Sequence, residues 1–186
     1  MYPDRPGSRQ RPAMPPARPR YPQREIVLVG AHGGAGATML AGLLRPAWDL
    51  GVVHRPGKGS GGPRPSGRPV VLVARSTLPA AGRAVAAARL LAGQGVQVAV
   101  LAVIGDGLPE PAEARYRFRV LEGRVGAVVR VPFVPAFRAA ADPLSVDLPR
   151  RARRALAVIR ALVQQHEFPD TGHQTVRSNR CHSSFT

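Results

Sequence analysis

The chain has 186 residues and a formal net charge of +16, from 27 basic against 11 acidic residues, and Lys58 is the sole lysine. That length holds one domain with a real core and not two of ordinary size. A single cysteine, Cys181, excludes an internal disulfide or a cysteine-based zinc site. The longest apolar run, Val98 to Ile104, falls far short of the ~20 residues that a membrane-spanning helix needs.

Residues 1–24 are dominated by proline and arginine and cannot bury enough surface to offset their ordering entropy, so a disordered basic arm is expected. It holds no continuous apolar stretch of the kind a secretory signal carries, and a cytoplasmic location is expected. The fold is expected in one domain, residues 25–168. It begins with the apolar strand Ile26-Val27-Leu28-Val29, the run Gly30-Ala31-His32-Gly33-Gly34-Ala35-Gly36-Ala37-Thr38, and a helix from Thr38 to Leu44 that Pro46 should end or kink near Trp48. Residues 54–69 are rich in glycine, proline and basic residues and read as a mobile loop beside the glycine run, from which Lys58, Arg64 or Arg68 could fold over a bound anion.

Val70 to Ala74 reads as the next strand. Pro79 then opens a helix at a first-turn position, with Ser76 or Thr77 as its cap, running to Gly95. Val96 to Ile104 is long, β-branched and apolar, as suits a strand covered on both faces of a parallel sheet. A helix from Pro111 to Gly123 and a strand from Ala127 to Val131 follow, and Pro132 and Pro135 bracket a stiff turn. In the Arg115-Tyr116-Arg117-Phe118-Arg119 run, Phe118 should turn inward beneath a solvated arginine face.

The last helix follows Asp147 and Pro149. Ala152, Ala155, Leu156, Ile159, Leu162 and Val163 form one apolar stripe, and Arg150, Arg151, Arg153, Arg154 and Arg160 make the remaining surface basic. The stripe suits packing on the parent sheet; an amphipathic membrane contact is the alternative. Residues 169–186 are polar and patternless, hence expected to be disordered, with His173, Cys181 and His182 a loose metal cluster at most. Strand and helix signals alternate, which predicts a three-layer α/β domain with a mainly parallel sheet.

A strand, a glycine-rich turn and a helix aim backbone N–H groups at one spot where an anion can sit. The run resembles the deviant Walker A loop of the MinD/ParA family of P-loop ATPases, K-G-G-x-G-K-[ST]-[ST]. His32-Gly33-Gly34-Ala35-Gly36-Ala37-Thr38-Met39 keeps its three glycines and first hydroxyl, while His32 and Ala37 stand at the two lysine positions. The resemblance implies ATP with Mg²⁺ as ligand. Gly30, Gly33, Gly34, Gly36 and Ala37 would offer backbone groups, Thr38 a hydroxyl to metal or phosphate, and His32 a replacement cation. Asp106, after the long central strand, lies where open α/β sheets gather ligand contacts, although turn chemistry explains it as well. Homodimerisation is also implied.

Val70 to Ala74, read as the only candidate for the acid-bearing strand, runs into Arg75 where such ATPases place a magnesium-organising aspartate. Without that acid and the lysine, hydrolysis should be weak or absent. The expected role is therefore a degenerate nucleotide-binding module that regulates or docks a partner. Two alternatives stay open. One is a basic adaptor for nucleic acid or an anionic membrane surface, using the arm and last helix. The other is an NAD(P)-binding Rossmann-like protein, since Gly30, Gly34 and Gly36 also fit G-x-x-x-G-x-G. Against the second stand the lack of a Tyr-x-x-x-Lys pair and of an acid on a second strand about 20 residues past the glycines.

Overall fold

The computed structural model describes residues 25–54, 65 and 67–165. The amino-terminal arm, the carboxy-terminal tail with its three metal-capable side chains, and most of the 54–69 loop, including Lys58 and Arg64, lie outside the described residues.

In chain order the elements are β1 (Ile26–Gly30), α1 (Ala37–Leu43), β2 (Ala47–Val52), β3 (Val70–Arg75), α2 (Leu78–Gly93), β4 (Val98–Ile104), α3 (Ala112–Glu122), β5 (Val128–Val131) and α4 (Arg150–Gln165). Two short 3₁₀ turns, Pro135–Arg138 and Pro143–Ser145, join β5 to α4. All five strands pair in parallel, in the order β2-β1-β3-β4-β5. The expected three-layer α/β architecture is therefore present.

Side chains alternate between the faces of the sheet, and each face has its own core. Leu28, Val73, Val100 and Ile104 pack with Leu40 of α1 and Leu156 and Ile159 of α4. Val29, Leu72, Leu101 and Val103 pack with Ala84 and Leu91 of α2 and Phe118 of α3. Every residue of β4 is buried, as an apolar strand covered on both faces requires. Thr77 caps α2 by accepting from the Ala80 amide at 3.4 Å, and Phe118 is fully buried while Tyr116 is exposed.

Two expectations need correction. The segment after α1 contains a strand the sequence reading omitted: β2 lies on the edge beside β1, with Leu28 opposite Asp49. Pro46 does not kink a helix near Trp48, because α1 has already ended at Leu43 and Trp48 belongs to β2. Five of the six apolar stripe residues of α4 are buried against the sheet, and Arg160 donates to the Leu43 carbonyl at 3.1 Å. That face is used for packing, so the helix presents its arginines and not its apolar stripe to the outside.

Candidate functional site

The carboxyl ends of β1 and β3 form the point where the strand order reverses, the place where open α/β sheets bind ligands. The Gly30–Gly36 loop leaves β1 there. Gly34 and Gly36 hold φ of +74° and +95°, left-handed backbone that a side chain would strain, and Gly36 hands the chain into α1. The first amides of a helix have no partner inside it, and Gly36, Ala37 and Thr38, where α1 starts, line the cleft.

That cleft has a volume of about 580 Å³, and Gly30, His32, Gly34, Gly36, Ala37, Thr38 and Asp106 all line it. Of the residues assigned to the ligand in the glycine run and after β4, only Gly33 is outside its lining. An apolar wall of the cleft is built by Ile104, Val131, Phe133, Phe137 and Leu156. The volume and the apolar wall with few polar groups are those of small-molecule sites.

Thr38 Oγ1 donates to Asp49 Oδ2 at 2.5 Å, and Asp49 Oδ1 accepts the Gly51 amide at 2.8 Å. An acid thus stands beside the loop hydroxyl, on the strand missed above. Arg75 was read only as a missing aspartate, yet its guanidinium spans the mouth of the cleft. Nε donates to the Gly34 carbonyl at 3.2 Å and Nη1 to the Gly105 carbonyl at 3.3 Å.

His32 braces the loop. Its Nδ1 lies 2.8 Å from the Gly33 carbonyl, and its Nε2 accepts the Arg75 amide at 3.4 Å. Among the described residues, the guanidinium groups that line the cleft are those of Arg75 and Arg138. Arg68 does not join them. It pairs with Glu25 at 2.7 Å beside the start of β1, at the opposite end of the sheet.

Asp106 accepts the Leu108 amide at 3.0 Å and the Ser76 hydroxyl at 3.4 Å, so turn chemistry and cleft lining are both realised. Among the described residues no three His, Cys, Asp or Glu side chains converge. The hard-oxygen pair of Thr38 and Asp49 is the cation-compatible feature at the loop.

Asp49, Arg75, Phe133 and Arg138 were missed by the sequence reading as site residues. Asp49 also corrects the argument against a dinucleotide, because it is an acid on a second strand about 20 residues past the first glycine of the pattern. Its oxygens are nonetheless engaged by Thr38 and the Gly51 amide. The signal for Arg75 was its place at the carboxyl end of an apolar strand, where ligand contacts gather.

No protein-family model, curated protein or solved structure shows significant similarity to this chain. The fold and cleft define it as a doubly wound α/β protein with a glycine-loop site at its switch point.

Proposed function

We propose that the cleft binds the phosphate group of a nucleotide with Mg²⁺, that turnover is weak or absent, and that the protein acts as a regulatory or partner-binding module of P-loop type. The observation that carries this reading is the contact of Thr38 with Asp49 at the glycine loop. P-loop sites hold Mg²⁺ between a loop Ser or Thr hydroxyl and an aspartate. Magnesium keeps several waters and needs only one or two carboxylates besides phosphate, so the donor set fits. Thr38 and Asp49 would hold the ion, and the ion when bound would neutralise phosphate charge.

The loop amides would orient the phosphate, and Ala37 leaves the loop without the lysine that reaches the outer phosphates. Preorganised charge is the main source of phosphoryl-transfer catalysis, so binding is expected to outlast hydrolysis. Calorimetric titration with ATP, GTP and NADP, each with and without Mg²⁺, tests the reading, alongside phosphate release. Magnesium-dependent heat without release supports it; no heat from any nucleotide overturns it.

A second reading is favoured by one observation. Arg150, Arg151 and Arg154 are exposed on α4 and have no carboxylate within 4.0 Å among the described residues. Such a face suits a nucleic-acid adaptor, which would bind with a steep salt dependence and no response to nucleotide.

A further inference from the structure

We infer that Arg75 is the phosphate-binding cation of this cleft, acting from β3 in place of the absent loop lysine, and that the ligand is a phosphate ester carrying a flat ring. The inference rests on the phosphate-binding reading above and extends it to the residue that grips and the body that is gripped.

Arg75 is half-buried at the cleft mouth. Among the described residues its guanidinium donates only to two carbonyl oxygens, those of Gly34 and Gly105, and no carboxylate lies within 4.0 Å of it. A guanidinium has five N–H donors in a planar fork that matches phosphate geometry. Neutral carbonyls leave its charge uncompensated, whereas a phosphate offers both the opposite charge and the paired oxygens that its fork fits. A phosphate resting on the loop would therefore displace the Gly34 and Gly105 contacts. In the loop itself Ala37 holds the lysine position, and the His32 ring is turned to the Gly33 carbonyl and the Arg75 amide.

The apolar wall defines the rest of the ligand. Phe133 and Phe137 come from the segment that follows β5, and Arg138 lies 4.8 Å from the centroid of the Phe133 ring. The end of β4 is shaped around Phe133: a Cβ at Gly105 would sit 2.8 Å from its backbone nitrogen, and one at Gly107 would sit 3.1 Å from its ring. Glycines at both positions let an aromatic side chain reach the cleft beside a cationic mouth. Flat aromatic bodies stack on such rings with a gain beyond the area they bury. A bare sugar phosphate would leave this wall unfilled.

The test is calorimetry on the full chain with magnesium present, using ADP, GDP, flavin mononucleotide and ribose 5-phosphate as probes. The proposal expects at least one ring-bearing phosphate to bind at least tenfold tighter than ribose 5-phosphate. It expects Arg75→Gln to weaken that ligand about 10- to 100-fold, the scale of a charged hydrogen bond, with partial recovery in Arg75→Lys. Phe137→Ala should weaken the ring-bearing ligand and leave ribose 5-phosphate unchanged, and an unaltered circular dichroism spectrum confirms that each variant is folded. If a nucleotide binds and Arg75→Gln binds it equally well, the role of Arg75 is overturned while the phosphate-binding reading stands. Equal affinity for ribose 5-phosphate overturns the ring-bearing ligand. No binding by any probe overturns the phosphate-binding reading, and this inference with it.

Discussion

Thr38 and Asp49 face each other across 2.5 Å, one on the first turn of α1 and the other on the edge strand β2. Both are exposed, so their contact adds little to the core, and in the proposed site its role is to hold the ion. Thr38→Ala and Asp49→Asn are therefore expected to lower magnesium-dependent nucleotide affinity about 10- to 100-fold, the scale of losing a charge-assisted contact. Thermal denaturation should move by a degree or two at most. Titrations with and without Mg²⁺ read the effect, and unchanged magnesium dependence in both variants would remove this pair from the site.

At the other end of the sheet, Glu25 accepts from Arg68 at 2.7 Å and from Trp48 at 3.2 Å, tying the edge strand to the segment before β3. The hydrogen bond from Arg68, helped by that from Trp48, holds the Glu25 carboxyl below its ordinary value. A carboxylate whose folded pKa is depressed stabilises the fold above its unfolded pKa and loses that contribution as pH falls through the folded pKa. Denaturant unfolding from pH 7 to pH 2 should show Glu25→Gln less stable at neutral pH. The gap should close below the ordinary carboxylate range of about 4, and a pH-independent gap would contradict the ion pair as its source.

The strands of the interior were legible because burial on both faces demands continuous apolar runs, and β1, β3 and β4 appear where such runs occur. The edge strand β2 was not. Trp48, Asp49, Leu50 and Gly51 are all exposed, and Asp and Gly are depleted in strands. β2 forms through backbone pairing with β1, which no local pattern announces. Missing it hid Asp49, and with it the acid that the loop hydroxyl contacts. Arg75 was visible but read for the acid it replaced. Its value comes from spanning two carbonyls on separate loops, a relation only the fold creates. Gly34 and Gly36, by contrast, were readable because their left-handed backbone leaves a direct trace in residue type.

Phe118 is the largest of the fully buried side chains. Phe118→Ala should cost about 3–5 kcal/mol through lost burial and a residual cavity. Tyr116→Ala, two residues away on the exposed face, should stay within about 0.5 kcal/mol of the parent. Chemical denaturation of both variants checks the inward turn of the aromatic in that arginine-rich helix; equal costs would contradict it.

Gly105 lies where β4 meets the segment after β5, and an added Cβ would meet the backbone nitrogen of Phe133 at 2.8 Å. Backbone cannot yield as a flexible side chain would. Gly105→Ala should therefore lower stability by about 1–3 kcal/mol, the usual cost of overpacking. It should also weaken any cleft ligand, because Phe133 must shift. A stability equal to the parent's would show that the two loops approach less closely than the structure has them.

The central claim is that the glycine loop with Thr38 and Asp49 forms a magnesium-dependent nucleotide site. Its most direct measurement is a calorimetric titration of the full chain with ATP, run with Mg²⁺, run with a chelator, and repeated on Asp49→Asn. Saturable heat with Mg²⁺ that is strongly reduced in the other two runs is the result expected. Absence of heat in all three, or equal heat in all three, would contradict the account.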